Sequence, residues 1–380
     1  MTRWSDWFAA ESAARDAAGL QRALRPRPAE GATTDLAGND YLGLSRDPAV
    51  VAAAAAAAQR WGAGAGASRL VTGTLELHAQ LERELAAYLG QPAALVFSTG
   101  YHANLAAVTA LVDRDCLVIS DAHVHASLVD AIRLSRAAVA IVPHNDLAAV
   151  TSALATAGDR RALVVVESVY SVLGDASPLA DLAALVTAYD AMLLVDEAHG
   201  LGVAGPAGRG LVQAHGLAGR PDVLVTATLS KALGAQGGAV LGSPDLVEHL
   251  VNTARPFIFD TGLAPAAAGA ARAALELVRT TPALPARVGE RMRALAGALD
   301  VPPVAGAVLS VPMPSPHVAL EAQAAAREEG VLVGCFRPPS VPDGISRLRI
   351  TVGGGIPDAE WAHAAEVVGR VVKEYGASAP

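Results

Sequence analysis

The chain has 380 residues, of which 52% are hydrophobic and 17% are charged, and it contains two cysteines. This composition is typical of a globular protein with a sizeable core, and it excludes a disordered chain, a disulfide framework and a zinc site built from cysteine pairs. The formal net charge of −8 argues against nucleic acid or an anionic membrane as the main partner.

The first 45 residues are predicted to form an N-terminal arm. Apolar residues at helical spacing, among them Trp4 and Trp7, predict a helix over residues 1 to about 25, which the prolines of residues 25–28 end. A short strand and a turn are predicted over residues 35–43. The first residues lack the basic start and apolar core of a signal peptide, and no apolar run is long enough to span a bilayer. We therefore expect a cytoplasmic protein.

Residues 46–275 are predicted to form a large α/β domain. Helical segments alternate with strands at residues 94–97, 116–119, 139–142, 163–166, 192–195, 223–225 and 239–241. Most of these strands are continuous apolar runs, which indicates a mainly parallel sheet covered by helices on both faces. In such sheets, functional residues lie just past the carboxyl ends of the strands.

Residues 276–380 are predicted to form a smaller α+β domain. It begins at the end of an Ala-rich helix near Arg279, and the prolines at 282 and 285 lead into a different pattern. Its strands are predicted at residues 307–311, 331–333 and 347–351, with helices that begin near His317 and Asp358.

Two residues at predicted strand ends have the chemistry of a single cofactor site. Lys231 is one of very few lysines, and the small residues 234–239 after it suit a sharply bent loop. Asp196 ends an apolar run, where a buried carboxylate needs a cationic partner. A lysine that forms a Schiff base and an aspartate that keeps a pyridine nitrogen protonated are the two poles of a pyridoxal 5'-phosphate (PLP) site. His199 would then donate to the phenolate oxygen of the cofactor.

Other interpretations of these motifs are less consistent with the sequence. Residues 196–199 read Asp-Glu-Ala-His, as in nucleic-acid helicases, but the chain has no Gly-Lys dipeptide and so no G-x-x-x-x-G-K-[ST] phosphate loop. His123 and His125 form a His-x-His pair without an evident cluster of further ligands, so no metal is expected. We expect one of these imidazoles to lie over the cofactor ring.

A phosphate site is predicted where residues 98–104 join a strand to a helix. The backbone N–H groups at such a helix start can hold a phosphate, and Gly100 permits close approach. An ordinary strand–helix turn has the same pattern. The Gly-Ala repeat of residues 62–67 lacks the preceding strand that a nucleotide loop requires.

The order of these motifs resembles that of the α-oxoamine synthases, a family of fold-type-I PLP enzymes. The match covers nearly the whole chain through residues 39–44, 98–104, 125–127, 195–200, 228–231, 337–342 and 347–349. The resemblance implies a fold-type-I PLP-dependent transferase, with a mostly parallel sheet in a large PLP-binding domain and a smaller α+β C-terminal domain. It also implies a homodimer with active sites at the interface.

The resemblance assigns roles to individual residues. Lys231, Asp196 and His125 are expected to be catalytic, with His125 stacked on the ring. The cofactor is expected to contact Gly100, Tyr101, His125, Ser171, Asp196, His199, Thr228 and Lys231, and Thr261 is expected to reach the phosphate held by the other subunit. The substrates are expected to contact Arg22, Asn39, His125, Arg337, Ser340 and Arg349.

The resemblance implies the decarboxylative condensation of an amino acid with an acyl thioester. Residues 255–261 and 337–342 are most similar to members that join L-alanine to a pimeloyl thioester, of coenzyme A or a carrier protein, in biotin synthesis. Members that use glycine to make 2-amino-3-ketobutyrate or 5-aminolevulinate are an alternative, as is a non-catalytic subunit, which would be expected to lack Lys231. The sequence departs from relatives at Phe259, where they can have tyrosine, at Asp260, and in the register around Arg22.

Overall fold

The structure is a computed structural model that describes residues 2–29, 31, 33–338 and 340–376. Its strands are β1 (Thr34–Leu36), β2 (Ala93–Phe97), β3 (Cys116–Asp121), β4 (Ala138–Val142), β5 (Arg161–Glu167), β6 (Met192–Asp196), β7 (Val223–Thr228), β8 (Gly238–Gly242), β9 (Val308–Pro312), β10 (Val331–Phe336) and β11 (Arg347–Thr351). Its α-helices are α1 (Arg3–Ala17), α2 (Pro48–Trp61), α3 (Glu76–Leu89), α4 (Gly100–Leu111), α5 (Ala126–Ser135), α6 (Leu147–Ala155), α7 (Leu179–Ala188), α8 (Leu211–Ala214), α9 (Pro244–Thr253), α10 (Arg255–Ile258), α11 (Pro265–Thr280), α12 (Ala283–Ala298), α13 (Pro316–Glu328) and α14 (Asp358–Tyr375).

The larger sheet has the strand order β2-β8-β7-β6-β5-β3-β4. The five adjacent strands β7, β6, β5, β3 and β4 are parallel to one another. β8 is antiparallel to both β2 and β7. The predicted α/β fold with a mainly parallel sheet is therefore confirmed, and the strand predicted at residues 239–241 is its antiparallel member.

Both faces of this sheet are buried. Leu117 and Ile119 of β3 pack into one group of buried apolar residues, and the alternating Cys116 and Val118 pack into another. Successive side chains of a strand point to opposite faces, so each face carries its own core. Burying one such aliphatic side chain contributes about 1.5–3 kcal/mol relative to exposure, which explains why these strands are continuous apolar runs.

A second sheet of four strands has the order β1-β10-β11-β9. β1 pairs with β10 in parallel, while β10–β11 and β11–β9 are antiparallel pairs. This arrangement brings the segment after β1, with Asn39 and Tyr41, close to Arg349 on β11. The smaller sheet therefore supplies side chains to the site described below.

The N-terminal helix is shorter than predicted. α1 ends at Ala17, and the residues up to 25 are not helical, so this part of the prediction is wrong. Gly19 has a φ of +64°, and the Leu20 N–H donates to the Arg15 carbonyl at 2.8 Å. This is the pattern of a Schellman motif, in which a glycine in the left-handed region ends the helix. The prolines farther on are therefore not what stops it.

The predicted domain limits at residues 45 and 275 stay predictions. β1 lies before the first limit, although it pairs with a strand of the C-terminal region, and α11 crosses the second. Residues 377–380 of the predicted small domain lie outside the described residues. Among the residues that the structure describes, no helix has the length and apolarity needed to cross a membrane.

Candidate active site

Three neighbouring strands of the larger sheet end at one cavity of about 210 Å³. Glu167 of β5 and Asp196 of β6 are partners in the strand register, and Asp196 is in turn the partner of Thr226 of β7. The cavity is lined by Thr99, Gly100, Tyr101, Asn104, His125, Ser127, Glu167, Asp196, Ala198, His199, Ala227, Thr228, Ser230 and Lys231. The carboxyl ends of the strands thus form the site, as in other open α/β sheets.

Lys231 extends its amine into this cavity. Its Nζ lies 2.9 Å from Nε2 of His199, whose Nδ1 lies 2.6 Å from the Tyr41 hydroxyl. Burial lowers the pKa of Lys231 to about 8, although Asp196 and Glu167 act to raise it. Burial, followed by the nearby Lys231 cation, holds the pKa of His199 well below its usual range. His199 is therefore a neutral imidazole, and a fraction of Lys231 is an unprotonated nucleophile near neutral pH.

Asp196 is 4% exposed and has two fixed hydrogen-bond donors. The Asn104 amide donates to Oδ2 at 2.8 Å, and the Ala198 N–H donates to Oδ1 at 2.8 Å. Within the described part of the chain, Asp196 forms no salt bridge. A buried carboxylate without a cationic partner is costly, so this site has room and need for a bound cation.

His125 is connected to Asp196 by hydrogen-bonded side chains. The Asn104 amide that donates to Asp196 also donates to the Ser127 hydroxyl at 2.8 Å, and this hydroxyl lies 2.8 Å from His125 Nδ1. Burial lowers the pKa of His125, so its ring is neutral. The imidazole is thereby held in one orientation on a wall of the cavity.

The start of α4 forms the opposite end of the cavity. Thr99 caps this helix by accepting the His102 N–H at 3.1 Å, which leaves the N–H groups of Gly100 and Tyr101 in the first turn for a ligand. A Cβ on Gly100 would lie 3.0 Å from the Thr228 side chain, so only glycine fits here without displacement. The Tyr101 hydroxyl donates to Asp130, and the residue is 42% exposed.

The guanidinium of Arg349 is fixed by three neighbouring residues. Its Nε donates to the Ser171 carbonyl at 2.7 Å, and its Nη atoms donate to Asn39 at 3.1 and 3.2 Å and to Thr351 at 3.3 Å. Ser171 was predicted to contact the cofactor through its position in the motif. In the structure its backbone contacts Arg349 and Glu167, and it is absent from the cavity lining given above.

The residues predicted near the acyl substrate form a separate group. The Arg22 guanidinium donates to the Ser340 hydroxyl at 2.8 Å, and Arg337 donates to the Gly19 carbonyl. A small cavity of about 40 Å³ lies among them, and Pro339 of the same motif is outside the described residues. Thr261 is exposed and pairs with Ser68 through an isolated β-bridge, away from the cavity in its own subunit.

Sequence reasoning did not assign several residues of the cavity. Asn104 and Ser127 belong to motifs that were recognised, but their contacts with Asp196 and His125 depend on the fold. Tyr41 lies in the turn predicted over residues 35–43, and Glu167 directly follows the strand predicted at residues 163–166. The signal for Glu167 was the alignment of polar residues at successive strand ends.

The residues of the cavity fit PLP. Asp196 supplies the buried acceptor that a pyridinium requires, Lys231 supplies the amine for the aldehyde, and the start of α4 supplies N–H groups for a phosphate. The Oδ1 atom of Asn104, which lines the cavity, is buried without a partner in the described structure and leaves a polar group for a ligand. The described residues contain no cluster of three or more His, Cys, Asp or Glu side chains that could hold a metal ion.

Known proteins match this chain over most of its length. Residues 32–368 match the family described as aminotransferase class I and II. The chain belongs to this family. The 8-amino-7-oxononanoate synthase of Mycolicibacterium gilvum is 54% identical over 96% of the chain and 97% of that relative, and the Mycobacterium avium enzyme is 54% identical over 97% of each.

Solved structures give the same result. A serine palmitoyltransferase from S. paucimobilis with bound PLP–myriocin has a TM-score of 0.91 and 29% identity, covering 98% of this chain and 99% of its own. The 8-amino-7-oxononanoate synthase of Francisella tularensis has a TM-score of 0.76 and 26% identity, and the match covers 90% of this chain and 98% of that structure. The predicted membership of the α-oxoamine synthases, the enzymatic character and the PLP cofactor are confirmed.

Proposed function

We propose that this enzyme condenses L-alanine with a pimeloyl thioester to give 8-amino-7-oxononanoate, CO2 and a free thiol. The observation that carries the proposal is that Lys231 and Asp196 face one cavity, with Arg349 close by. The 54% identity to relatives named 8-amino-7-oxononanoate synthase supports the choice of substrates within the family. These relatives are matched over almost their entire length.

The cofactor would be held by residues at both ends of the cavity. Asp196 and His199 would hold the ring nitrogen and the ring oxygen, His125 would lie on the ring, and Gly100 and Thr228 would contact the phosphate. When bound, PLP supplies an electron sink for negative charge that develops on the substrate α-carbon. Asn104 holds the Asp196 carboxyl group in place by donating a hydrogen bond to it.

Lys231 is the proposed general base. With its pKa lowered to about 8, its amine can take the α-proton of L-alanine at Nζ and return a proton later in the cycle. Arg349, fixed by Ser171 and Asn39, would bind the amino-acid carboxylate, which is subsequently lost as CO2. Arg22, Arg337 and Ser340 would contact the acyl substrate.

The working unit is proposed to be a homodimer. Thr261 is exposed in the single chain, next to the exposed Phe259, which is what a residue that serves the partner's site would require. Its proposed role is to contact the phosphate bound in the other subunit. A monomer in solution with full activity would contradict this part of the proposal.

The proposal is tested by absorption spectra and product assays. Addition of L-alanine to the purified holoenzyme should change the cofactor absorption band, and 8-amino-7-oxononanoate should form with pimeloyl-CoA or with the pimeloyl carrier protein. Lys231→Ala should abolish the formation of 8-amino-7-oxononanoate, whereas Lys373→Ala, at an exposed position on α14, serves as the matched control. Glycine or L-serine used in preference to L-alanine, or another acyl-CoA in preference to pimeloyl, would refute the substrate assignment.

A further inference from the structure

Glu167 is a second carboxyl group in the cofactor cavity, and the proposed reaction does not use it. It ends β5, is 2% exposed and lines the same cavity as Lys231 and Asp196. Its Oε2 accepts the Ser171 N–H at 2.9 Å. Its Oε1 is buried without a partner in the described structure. A buried carboxyl oxygen without a partner requires an explanation.

Glu167 is joined to the proposed carboxylate-binding arginine through one residue. The Ser171 N–H donates to Glu167 Oε2. The Ser171 carbonyl in turn accepts a hydrogen bond from Arg349 Nε at 2.7 Å. A hydrogen bond to a charged donor is stronger than one between two neutral groups. The N–H and the carbonyl of Ser171 belong to consecutive peptide units, so the position of the carbonyl, and with it that of the guanidinium, depends on whether Glu167 holds this residue.

The charges around Glu167 favour its neutral form. Asp196, its register partner on β6, accepts hydrogen bonds from two donors, whereas Glu167 accepts one, from the Ser171 N–H, among the described residues. Two carboxylates side by side in a buried site do not both ionise, and the one with better donors keeps the charge. Lys231 is the cation that opposes this effect.

We propose that Glu167 is a positioning residue that works as an uncharged carboxylic acid: it holds Ser171, and through it Arg349, in place for the carboxylate of the amino-acid substrate. The proposal rests on the proposed role of Arg349. The neutral acid accepts at Oε2 and carries its proton at Oε1, so it places no second negative charge in the cavity that receives the substrate.

The groups that face Glu167 give the pH dependence a definite sign. Burial, and then Asp196, raise the pKa of Glu167 to about 8, while Lys231 and the backbone N–H groups of Ser171 and His125 act to lower it. The hydroxyls of two buried tyrosines, at positions 41 and 170, also lie within its electrostatic reach. Above about pH 8 an ionised Glu167 opposes the binding of the amino-acid carboxylate.

The first test measures the affinity of the holoenzyme for L-alanine from the change in cofactor absorption. Glu167→Ala should weaken this affinity about 10–100-fold, because Ser171 loses its acceptor. Glu167→Gln has one acceptor and one donor in the same shape, so it should restore most of the loss. Equal losses in the two variants would overturn the neutral-acid assignment, and an unchanged affinity in Glu167→Ala would overturn the positioning role.

Two further readouts separate positioning from general damage to the fold. In a double-mutant cycle, Glu167→Ala and Arg349→Lys should be strongly non-additive for L-alanine affinity, and additive effects would contradict coupling through Ser171. The infrared difference spectrum between the wild-type apoprotein and Glu167→Gln at pH 7 should show the band of a protonated carboxyl, because the other buried carboxyl with a raised pKa, Glu197, contributes to both proteins and cancels. An identical band in both proteins would contradict the proposal.

The same measurements distinguish this inference from the proposed function. L-alanine binding is observed without an acyl substrate, so a holoenzyme that binds L-alanine but makes no 8-amino-7-oxononanoate would refute the proposed reaction and leave the Glu167 result intact. The affinity of wild type for L-alanine should fall above about pH 8 more steeply than that of Glu167→Gln. Superimposable pH profiles would overturn the inference.

Discussion

Replacement of His144 should remove a large part of the pH dependence of stability. His144 Nδ1 lies 3.0 Å from Asp121, and its Nε2 lies 2.8 Å from Asp175. His123 stacks on the ring and Tyr170 meets it edge-on, both at 4.3 Å between centroids. Burial acts to lower the pKa of His144, but the two carboxylates outweigh it and raise the pKa to about 9.

The magnitude follows from the difference between folded and unfolded pKa values. The ordinary value is 6.5, so the difference is about 2.5, and at 1.36 kcal/mol for each pKa unit it corresponds to about 3 kcal/mol. Because Asp175 is 39% exposed, solvent screening should reduce this to about 2 kcal/mol. The folded pKa is raised, so the stabilisation is fully present below pH 6.5 and is lost as the pH rises through about 9.

The assay is urea unfolding at about pH 6 and about pH 9.5, at one protein concentration and one PLP concentration. The free energy of unfolding of wild type should fall between the two pH values by about 2 kcal/mol more than that of His144→Gln. His215→Gln, at an exposed histidine, should behave as wild type. The same pH difference in His144→Gln and wild type would refute the reasoning, because it would show that His144 carries no charge that the carboxylates stabilise.

Three further substitutions test the cavity. Asn104→Ala should raise the dissociation constant of PLP from the apoenzyme about tenfold, because Asp196 loses a donor, while the exposed Asn252→Ala should not change it. Arg349→Lys should raise KM for L-alanine about 10–100-fold with a smaller effect on kcat, since lysine cannot reproduce the fixed fork of donors; an unchanged KM would contradict the assignment. Gly238→Ala should lower both PLP affinity and the thermal midpoint, because its Cβ would lie 2.5 Å from the backbone at the start of α4; wild-type values would contradict this packing.

The sequence predicted the strands of the larger sheet because their residues are uniformly apolar. β5 and β6 are buried on both faces, so their hydrophobic runs are continuous and end abruptly at an acid. Asp196 was found for the same reason, since a polar residue directly after such a run is unusual, whereas Lys231 was found because lysines are rare in this chain and small residues follow it. The pairing of β1 with β10 was not predictable, because these strands are short and lie far apart in the chain.

The hydrogen-bond partners in the site were harder to predict than its ionisable groups. The contact of Tyr41 with His199 joins positions 158 residues apart, and that of Asn104 with Asp196 joins positions 92 residues apart. No local pattern specifies such pairs. The end of α1 was missed for a different reason: a glycine cap at residue 19 outweighed an apolar spacing that continues past it.

The central claim is that Lys231 holds the cofactor opposite Asp196, and it is tested most directly by reducing the holoenzyme with borohydride and locating the PLP adduct by peptide mass spectrometry. The chain contains two lysines, Lys231 and Lys373, so the two outcomes are cleanly separated. The account predicts one adduct per chain, on the peptide that contains Lys231. An adduct on the peptide of Lys373, or no adduct on either, would contradict it.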